Sequence, residues 1–226
     1  MPGLFLDWRR RRLHHLLEPG PLRDFYAVPF PRPGLDYRQV PLLAIDLETT
    51  GLDPRKDQIL SFGWVGLSCG CIRLGEARHR LVRVRGEIPA ESAVIHQITD
   101  DQAAAGGYLP SALAELLQAL AGRAMIAHHA RVEQGFLSAA CRRLFGVGLL
   151  VPTIDTQALA RRTFEHRHIP YKGSDLRLHA LGERYNLPRY GAHNALADAL
   201  AAAELFLAQV AHRDGGRGVR LRDLLL

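Results

Sequence analysis

The chain has 226 residues, 47% of them hydrophobic and 23% charged, with a net charge of +6 and a pI near 9.6. This composition excludes a disordered or fibrous protein and provides length for one well-cored domain with an appendage. Three cysteines, Cys69, Cys71 and Cys141, exclude a disulfide framework, and Cys69-Gly70-Cys71 has no second pair to complete a zinc site.

All three cysteines read as ordinary thiols of a reducing compartment. No apolar run approaches the roughly 20 residues of a membrane span. The basic run Arg9 to Arg12 is not followed by the apolar segment of a secretory signal. The expectation is therefore a soluble cytoplasmic protein with no membrane contact, whose basic balance favours a polyanionic partner.

Residues 1–39 read as a basic, Pro-rich N-terminal arm. Leu6, Leu13, Leu16 and Leu17 share one face of a helix, and six of the chain's 13 prolines then crowd into Pro19 to Pro41, where regular helix is forbidden. Seven arginines stand against four acids here, so half of the net charge lies in the arm. Two readings stay open: an electrostatic arm for nucleic acid, or a helix and strap packed on the domain with solvated arginines. The second is the weightier.

A regular pattern begins at Val40 and marks a domain over 40–213, followed by a short C-terminal tail, 214–226. Residues 40–47 read as a first strand. Ile59 to Leu67 and Cys71 to Leu74 flank the turn signal Ser68-Cys69-Gly70. His79 to Pro89 alternates Leu81, Arg83 and Arg85 with Val82 and Val84 as a further, edge-type strand. Then come a helix over Ser111 to Leu120, a short strand over 124–129, a helix to about Phe145, and a strand ending at Thr153 to Asp155. Three helices complete the chain: one after Asp155, one over Asp175 to Tyr185 and one over Asn194 to His212. A meander followed by alternating strands and helices is an α/β layout with a mixed central sheet flanked by helices.

Chemistry concentrates in "PLLAIDLETTGL", residues 41–52. Asp46 and Glu48 are two residues apart on a strand, so both point to one face, where like charges repel and lose hydration. Glu133 follows the 4-3-4 spacing of Leu137, Ala140 and Leu144, at the border of a buried helix face. Taken alone it is equally well a first-turn carboxylate favoured by the helix dipole. Gly135 costs about 1 kcal/mol in a helix interior, which points to a close approach. Asn194 is a good N-cap; it leaves His193 in the loop ahead and Asp198 in the first turns of a helix apolar almost all round. Alone, His193 reads as a surface loop histidine. Four carboxylates without cysteine suit the hard ions Mg²⁺ or Mn²⁺. Two such ions stabilise the attacking and leaving oxygens of phosphodiester cleavage, and a histidine can take the proton of the attacking water.

"DLETTGL" (46–52), "AHHARVEQGFL" (127–137) and "HNALAD" (193–198) resemble, in order and spacing, the three motifs of the DEDDh 3′–5′ exonucleases. That family includes the proofreading epsilon subunit of bacterial DNA polymerase III. "VIHQITDD" (94–101), "TIDTQALAR" (153–161) and "HALGERYNLP" (179–188) resemble its intervening segments, so the resemblance spans roughly 40–212. It implies an RNase H-like fold, two divalent ions, and a single-stranded or frayed 3′ end as substrate. It also implies metal binding by Asp46, Glu48, Glu133 and Asp198, with Asp46 bridging the two ions, and His193 as general base. Thr49, Thr50, Gly51, Leu52 and His96 would contact the terminal nucleotide.

The chain departs from the family's H-N-x-x-F-D pattern at His129, Val132 and Glu133. Glu133 replaces an Asp and reaches about 1.5 Å further, so it either ligates the second ion directly or crowds it. Gln97 replaces the Gly that usually follows His96. The short "RDGGRGVRLRDLLL" ending has no polymerase-binding tail, so a stand-alone nuclease is expected over a replisome subunit. Two alternatives to a DNA exonuclease remain: the same chemistry on RNA ends or short oligonucleotides, and a nucleic-acid-binding module that has lost catalysis.

Overall fold

The computed structural model describes residues 2–84, 86, 102, 104–191, 193–214 and 218–226. Three strands form the meander: β1 (Leu42–Thr49), β2 (Ile59–Ser68) and β3 (Cys71–Leu81), with β1 and β3 both antiparallel to β2. On the other side of β1 lie β4 (Ala124–Ala127) and β5 (Thr153–Asp155), both parallel, giving the order β3-β2-β1-β4-β5. The helices are α1 (Pro2–Leu16), α2 (Pro21–Ala27), α3 (Leu109–Leu120), α4 (Arg131–Phe145), α5 (Thr156–His166), α6 (Leu178–Arg184) and α7 (Ala195–Asp214). This is the mixed sheet with flanking helices that the pattern predicts.

The period-2 alternation of β1 sorts its side chains into two cores. Leu43, Ile45 and Leu47 pack in one cluster with Leu113, Leu117, Phe136 and Leu137 of α3 and α4. Leu42 and Ala44 face the other way, into a cluster with Ala203, Phe206 and Val210 of α7. A third, smaller cluster sets Leu205 of α7 against Ala160, Phe164, Leu176 and Leu181. Helix α7 is thus apolar all round because it is buried on two sides. By length and composition alone, Ala195–Arg213 is apolar enough to cross a membrane. That corrects the expectation that no segment approaches a span; here the helix packs against the sheet.

The first forty residues contribute core. Leu22, Phe25 and Tyr26 of α2 are buried in the same cluster as Leu43 and Ile45. The Tyr26 hydroxyl accepts a hydrogen bond from the Leu150 amide at 2.8 Å. Arg10 is buried too, donating to the Tyr26 carbonyl and to Asp7. Leu6, Leu13 and Leu17 pack on the core, whereas Leu16, assigned to that face in the sequence, is exposed. The two ends of the chain also meet. The Val219 amide donates to the Asp36 carboxylate at 3.0 Å and its carbonyl accepts from Tyr37 at 2.9 Å. Leu225 bridges to Ile154 and covers the edge of β5.

Three boundaries differ from the sequence expectation. Cys71–Leu81 is one strand, not two: a register shift between Trp64 and Gly66 lets β3 run on past Gly75. Strand β4 stops at Ala127, because His129 turns the chain with φ 63°. The 175–185 helix is broken at Arg177, whose extended backbone separates a 3₁₀ turn from α6. Residues 85 and 87–89 of the expected edge strand, and the 94–101 segment with His96 and Gln97, lie outside the described residues.

Truncating a buried aromatic removes its transfer free energy and leaves a cavity. Phe25→Ala should therefore lower unfolding stability by about 3–5 kcal/mol, measured by urea denaturation. A loss within about 0.5 kcal/mol, the size of a surface effect, would show that the arm is not part of the core.

Candidate active site

The acids meet because three elements converge on the carboxyl end of β1. Asp46 and Glu48 lie on the face of β1 that α7 covers, opposite Gly63 and Ser61 of β2. Gly63 makes the approach possible: a Cβ there would lie 2.0 Å from the Ala195 carbonyl carbon and 2.2 Å from the Leu196 nitrogen. With only a hydrogen at that position, the first turn of α7 rests directly on the sheet beside Asp46. The Asn194 side chain caps this helix, accepting from the Leu196 and Ala197 amides at 3.1 and 3.2 Å. Asp198 is delivered one turn in. Its Oδ2 accepts from the His193 amide at 2.9 Å, with His193 held at φ 66°. One ligand atom from each of Asp46, Glu48 and Asp198 then lies within 4.8 Å of the others.

Glu133 arrives from the opposite core on the first turn of α4 and is 3% exposed. It stands outside the three-carboxylate cluster, but its charge acts on Asp46. The loop that sets its position is tied down by Asp155, at the end of β5. One Asp155 oxygen accepts from the amides of His129, Gln157 and Ala158 at 3.1, 2.9 and 3.1 Å. The other accepts from the Ala130 amide at 3.1 Å. One buried carboxylate thus caps α5 and clamps the start of α4. The sequence reading missed it as a functional position, although Asp ahead of Thr156-Gln157-Ala158 is an N-cap signal. His128 completes the frame. Its Nε2 donates to the Leu176 carbonyl at 3.0 Å and its Nδ1 accepts from the Thr156 hydroxyl at 2.8 Å. Burial pushes His128 down to about 4, so it is a neutral structural residue.

The clustering is electrostatically unfavourable. Burial first, then the charges of Glu133, Glu48 and Asp198, raise Asp46 well above the usual carboxylate range. Burial also raises Glu133 to about 8; the charges of Asp155 and Glu48 add to this, and a backbone hydrogen bond opposes it. Asp198 is raised by burial and by Glu48, against its bond to the His193 amide. Two buried acceptors, Glu133 Oε2 and Asp198 Oδ1, have no hydrogen-bond partner among the described residues. Buried polar atoms rarely go unsatisfied. Carboxylate oxygens alone, with surplus negative charge and unmet acceptors, fit a hard divalent cation.

Beside the acids, residues 49–53 form a shelf. The Thr49 hydroxyl donates to the Gly51 carbonyl at 2.7 Å, and Thr50 exchanges two bonds of 2.9 Å with Gln58. Gly51 lies against Asp57, whose carboxylate a Cβ would meet at 2.5 Å and which accepts from the Asp53 amide at 2.8 Å. Leu52 stands clear at 82% exposed. The close approach expected at Gly135 is Pro54, 3.4 Å from where a Cβ would stand, so an alanine there makes contact without a clash.

A family model described as exonuclease (RNase T) matches residues 43–206. The chain is similar to the PolC-type DNA polymerase III of Thermotoga petrophila, 29% identical over 171 residues, or 76% of this chain and 12% of that protein. It spans only about a tenth of such PolC-type relatives. It is also similar to the DNA polymerase III subunit epsilon of Treponema pallidum, 28% identical over 180 residues, 78% of this chain and 79% of that one. Among solved structures it resembles the nuclease domain of 3'hExo, a DEDDh family member bound to rAMP. There the TM-score is 0.66 at 17% identity, covering 82% of this chain and 98% of that one. It also resembles Exonuclease X in complex with 5′-overhanging duplex DNA, with a TM-score of 0.58 at 24% identity, covering 81% and 98%. The fold is therefore RNase H-like.

Two outcomes follow from this geometry. Gly63→Ala should push the first turn of α7, and Asp198 with it, off the sheet. Calorimetric Mn²⁺ affinity should drop about tenfold or more, equivalent to about 1.4 kcal/mol, and unchanged affinity would contradict the close-packing argument. The second concerns pH. Glu133 is raised from its ordinary 4.5 to about 8 in the fold. The folded chain therefore holds a proton that the unfolded chain has lost, and stability falls as pH rises through that window. In EDTA the melting temperature should decline from pH 5 to pH 8, and Glu133→Gln should reduce the slope and raise the melting temperature at pH 8.

Proposed function

Because the chain belongs to the exonuclease family whose model spans residues 43–206, we propose that it is a 3′–5′ exonuclease of single-stranded DNA releasing 5′-mononucleotides. The observation that carries this reading is the meeting of Asp46, Glu48 and Asp198 within 4.8 Å beside the His193 loop. In the proposal these carboxylates and Glu133 hold two divalent ions, Mg²⁺ or Mn²⁺. When bound, such ions neutralise the phosphate and stabilise charge on the entering and leaving oxygens. His193 takes the proton of the attacking water, the water oxygen bonds to phosphorus, and the 3′-oxygen of the preceding nucleotide leaves.

The shelf supplies position. Main-chain groups of Thr49 to Gly51 and the projecting Leu52 side chain hold the last nucleotide in the proposal; His96, a further contact that the family resemblance implies, lies outside the described residues. Such contacts use backbone and base faces, so preference among bases should be weak. Glu133, one methylene longer than the family's aspartate, would either hold the second ion directly or crowd it. Association with a polymerase is a second reading, favoured by the full-length epsilon relatives.

A 5′-labelled single-stranded 20-mer incubated with Mg²⁺ or Mn²⁺ should shorten from its 3′ end and release 5′-nucleotides. Activity should vanish in EDTA and fall on the order of 10³-fold or more in Asp46→Ala. Activity that persists in EDTA would overturn the mechanism. Tight oligonucleotide binding without turnover in either metal would favour a binding module instead. On matched strands DNA should be degraded faster than RNA; the reverse order would identify the chain as an exoribonuclease.

A further inference from the structure

Helix α1 presents to solvent a stripe that neither the cores nor the acid cluster uses. Phe5, Trp8, Arg9, Arg12, His15 and Leu16 fall within about 120° of arc at 100° per residue. The opposite side carries Leu6, Leu13 and Leu17 on the core and the buried Arg10. Phe5 is 61% and Trp8 54% exposed, with ring centroids 6.0 Å apart and planes within 22° of parallel. The Arg9 guanidinium lies over Phe5 and that of Arg12 over Trp8, each 5.8 Å from the ring centroid. Asp7, the one acid of this helix, is taken by Arg10 and Arg11 at 2.7 and 3.0 Å. Arg9 and Arg12 have no carboxylate partner among the described residues.

A solvated basic face has no use for two large exposed aromatics, and an apolar docking face has no use for two unpaired guanidinia between them. Flat π-surfaces interleaved with cations match the alternating bases and phosphates of a single strand. We propose that α1 is a second nucleic-acid contact: a stacking platform for single-stranded nucleic acid on the 5′ side of the end held at the acids. The occupant's identity rests on the nuclease reading; the stripe itself does not. Its placement suits that role. The Leu16–Arg23 segment lines a cleft with Leu144–Val147, at the far end of α4 from Glu133. From Glu133 to Leu144 the helix rises about 16 Å, so a strand held at the acids has to run on past the terminal nucleotides before it meets α1.

Trp8 supplies the assay. The other tryptophan, Trp64, is 2% exposed, so emission that responds to an oligonucleotide reports Trp8. In EDTA, dT20 should quench this emission and bind the full chain at least tenfold more tightly than dT4, which should leave emission unchanged. Phe5→Ala/Trp8→Ala and Arg9→Ala/Arg12→Ala should each weaken dT20 binding about tenfold and leave both dT4 binding and metal-dependent dT4 hydrolysis as in the wild type. The arginine pair should also lower the salt slope of dT20 binding by about 1.4. No Trp8 response to saturating dT20, or equal loss of dT4 and dT20 binding, overturns the proposal. A Trp8 blue shift with phosphatidylserine vesicles and none with dT20 overturns it in favour of a membrane-surface helix. Absence of dT4 hydrolysis in the wild type would count against the nuclease reading, while the Trp8 titration would still test the platform.

Discussion

Three carboxylates brought together on the sheet, Asp46, Glu48 and Asp198, with the charge of Glu133 acting on the first of them, form an arrangement a folding chain opposes. Asp46, Glu133 and Asp198 lose hydration, and neighbouring charges raise the free energy of their ionised forms. The upward displacement of Asp46, Glu133 and Asp198 records that opposition. The scaffold has to hold the acids together without help from the acids themselves, and the surrounding structure can be read as the means of doing so. Strand β1 supplies two acids at a fixed spacing. Gly63 lets a helix lie directly on the sheet to supply the third. Asp155 anchors the loop that supplies the fourth.

These devices share a logic. Rigid, buried elements carry the acids, and short loops carry the parts that meet a ligand. Helix α7 is packed on the sheet on one side and on α5 and α6 on the other, so Asp198 sits on a column with little freedom. The shelf at residues 49–53 is exposed, yet its backbone is fixed by Asp57 and by the pairing of Thr50 with Gln58. A preorganised acid cluster would shed its mutual repulsion on binding a cation, so part of any affinity for the ion would come from that repulsion. Divalent ions and stability are then linked, because a ligand that binds only the folded chain raises its stability.

Much of this was legible in the sequence, for specific reasons. The strand period places Asp46 and Glu48 on one face, the Asn194 cap fixes where α7 begins, and helix periodicity puts Glu133 at a buried border. What was not legible depended on partners far apart in the chain. Gly63 reads as one more small residue in a strand until the backbone of Ala195 is laid against it. Asp155 reads as a helix cap, and only the fold shows the same carboxylate holding the amides of His129 and Ala130. The sequence pattern divides β3 in two because it is an exposed edge, where no hydrophobic alternation marks its course. The turn at His129 was hidden because a non-glycine residue takes a positive φ there.

The bond between Asp36 and Val219 joins residues 183 positions apart. Closing so long a loop costs little more entropy than closing one half its length, but it delays the contact until residue 219 is available. On a ribosome, where synthesis proceeds from the N-terminus at about 5–20 residues per second, the strap, whose Tyr37 packs in the α7 cluster, waits for its partner until the residues between them have been made. A chain halted before Val219 lacks that closure and the Leu225 cover on β5. The four acids, from Asp46 to Asp198, all precede Val219 in the sequence, so the contact that joins the strap is made after the last of them has been synthesised.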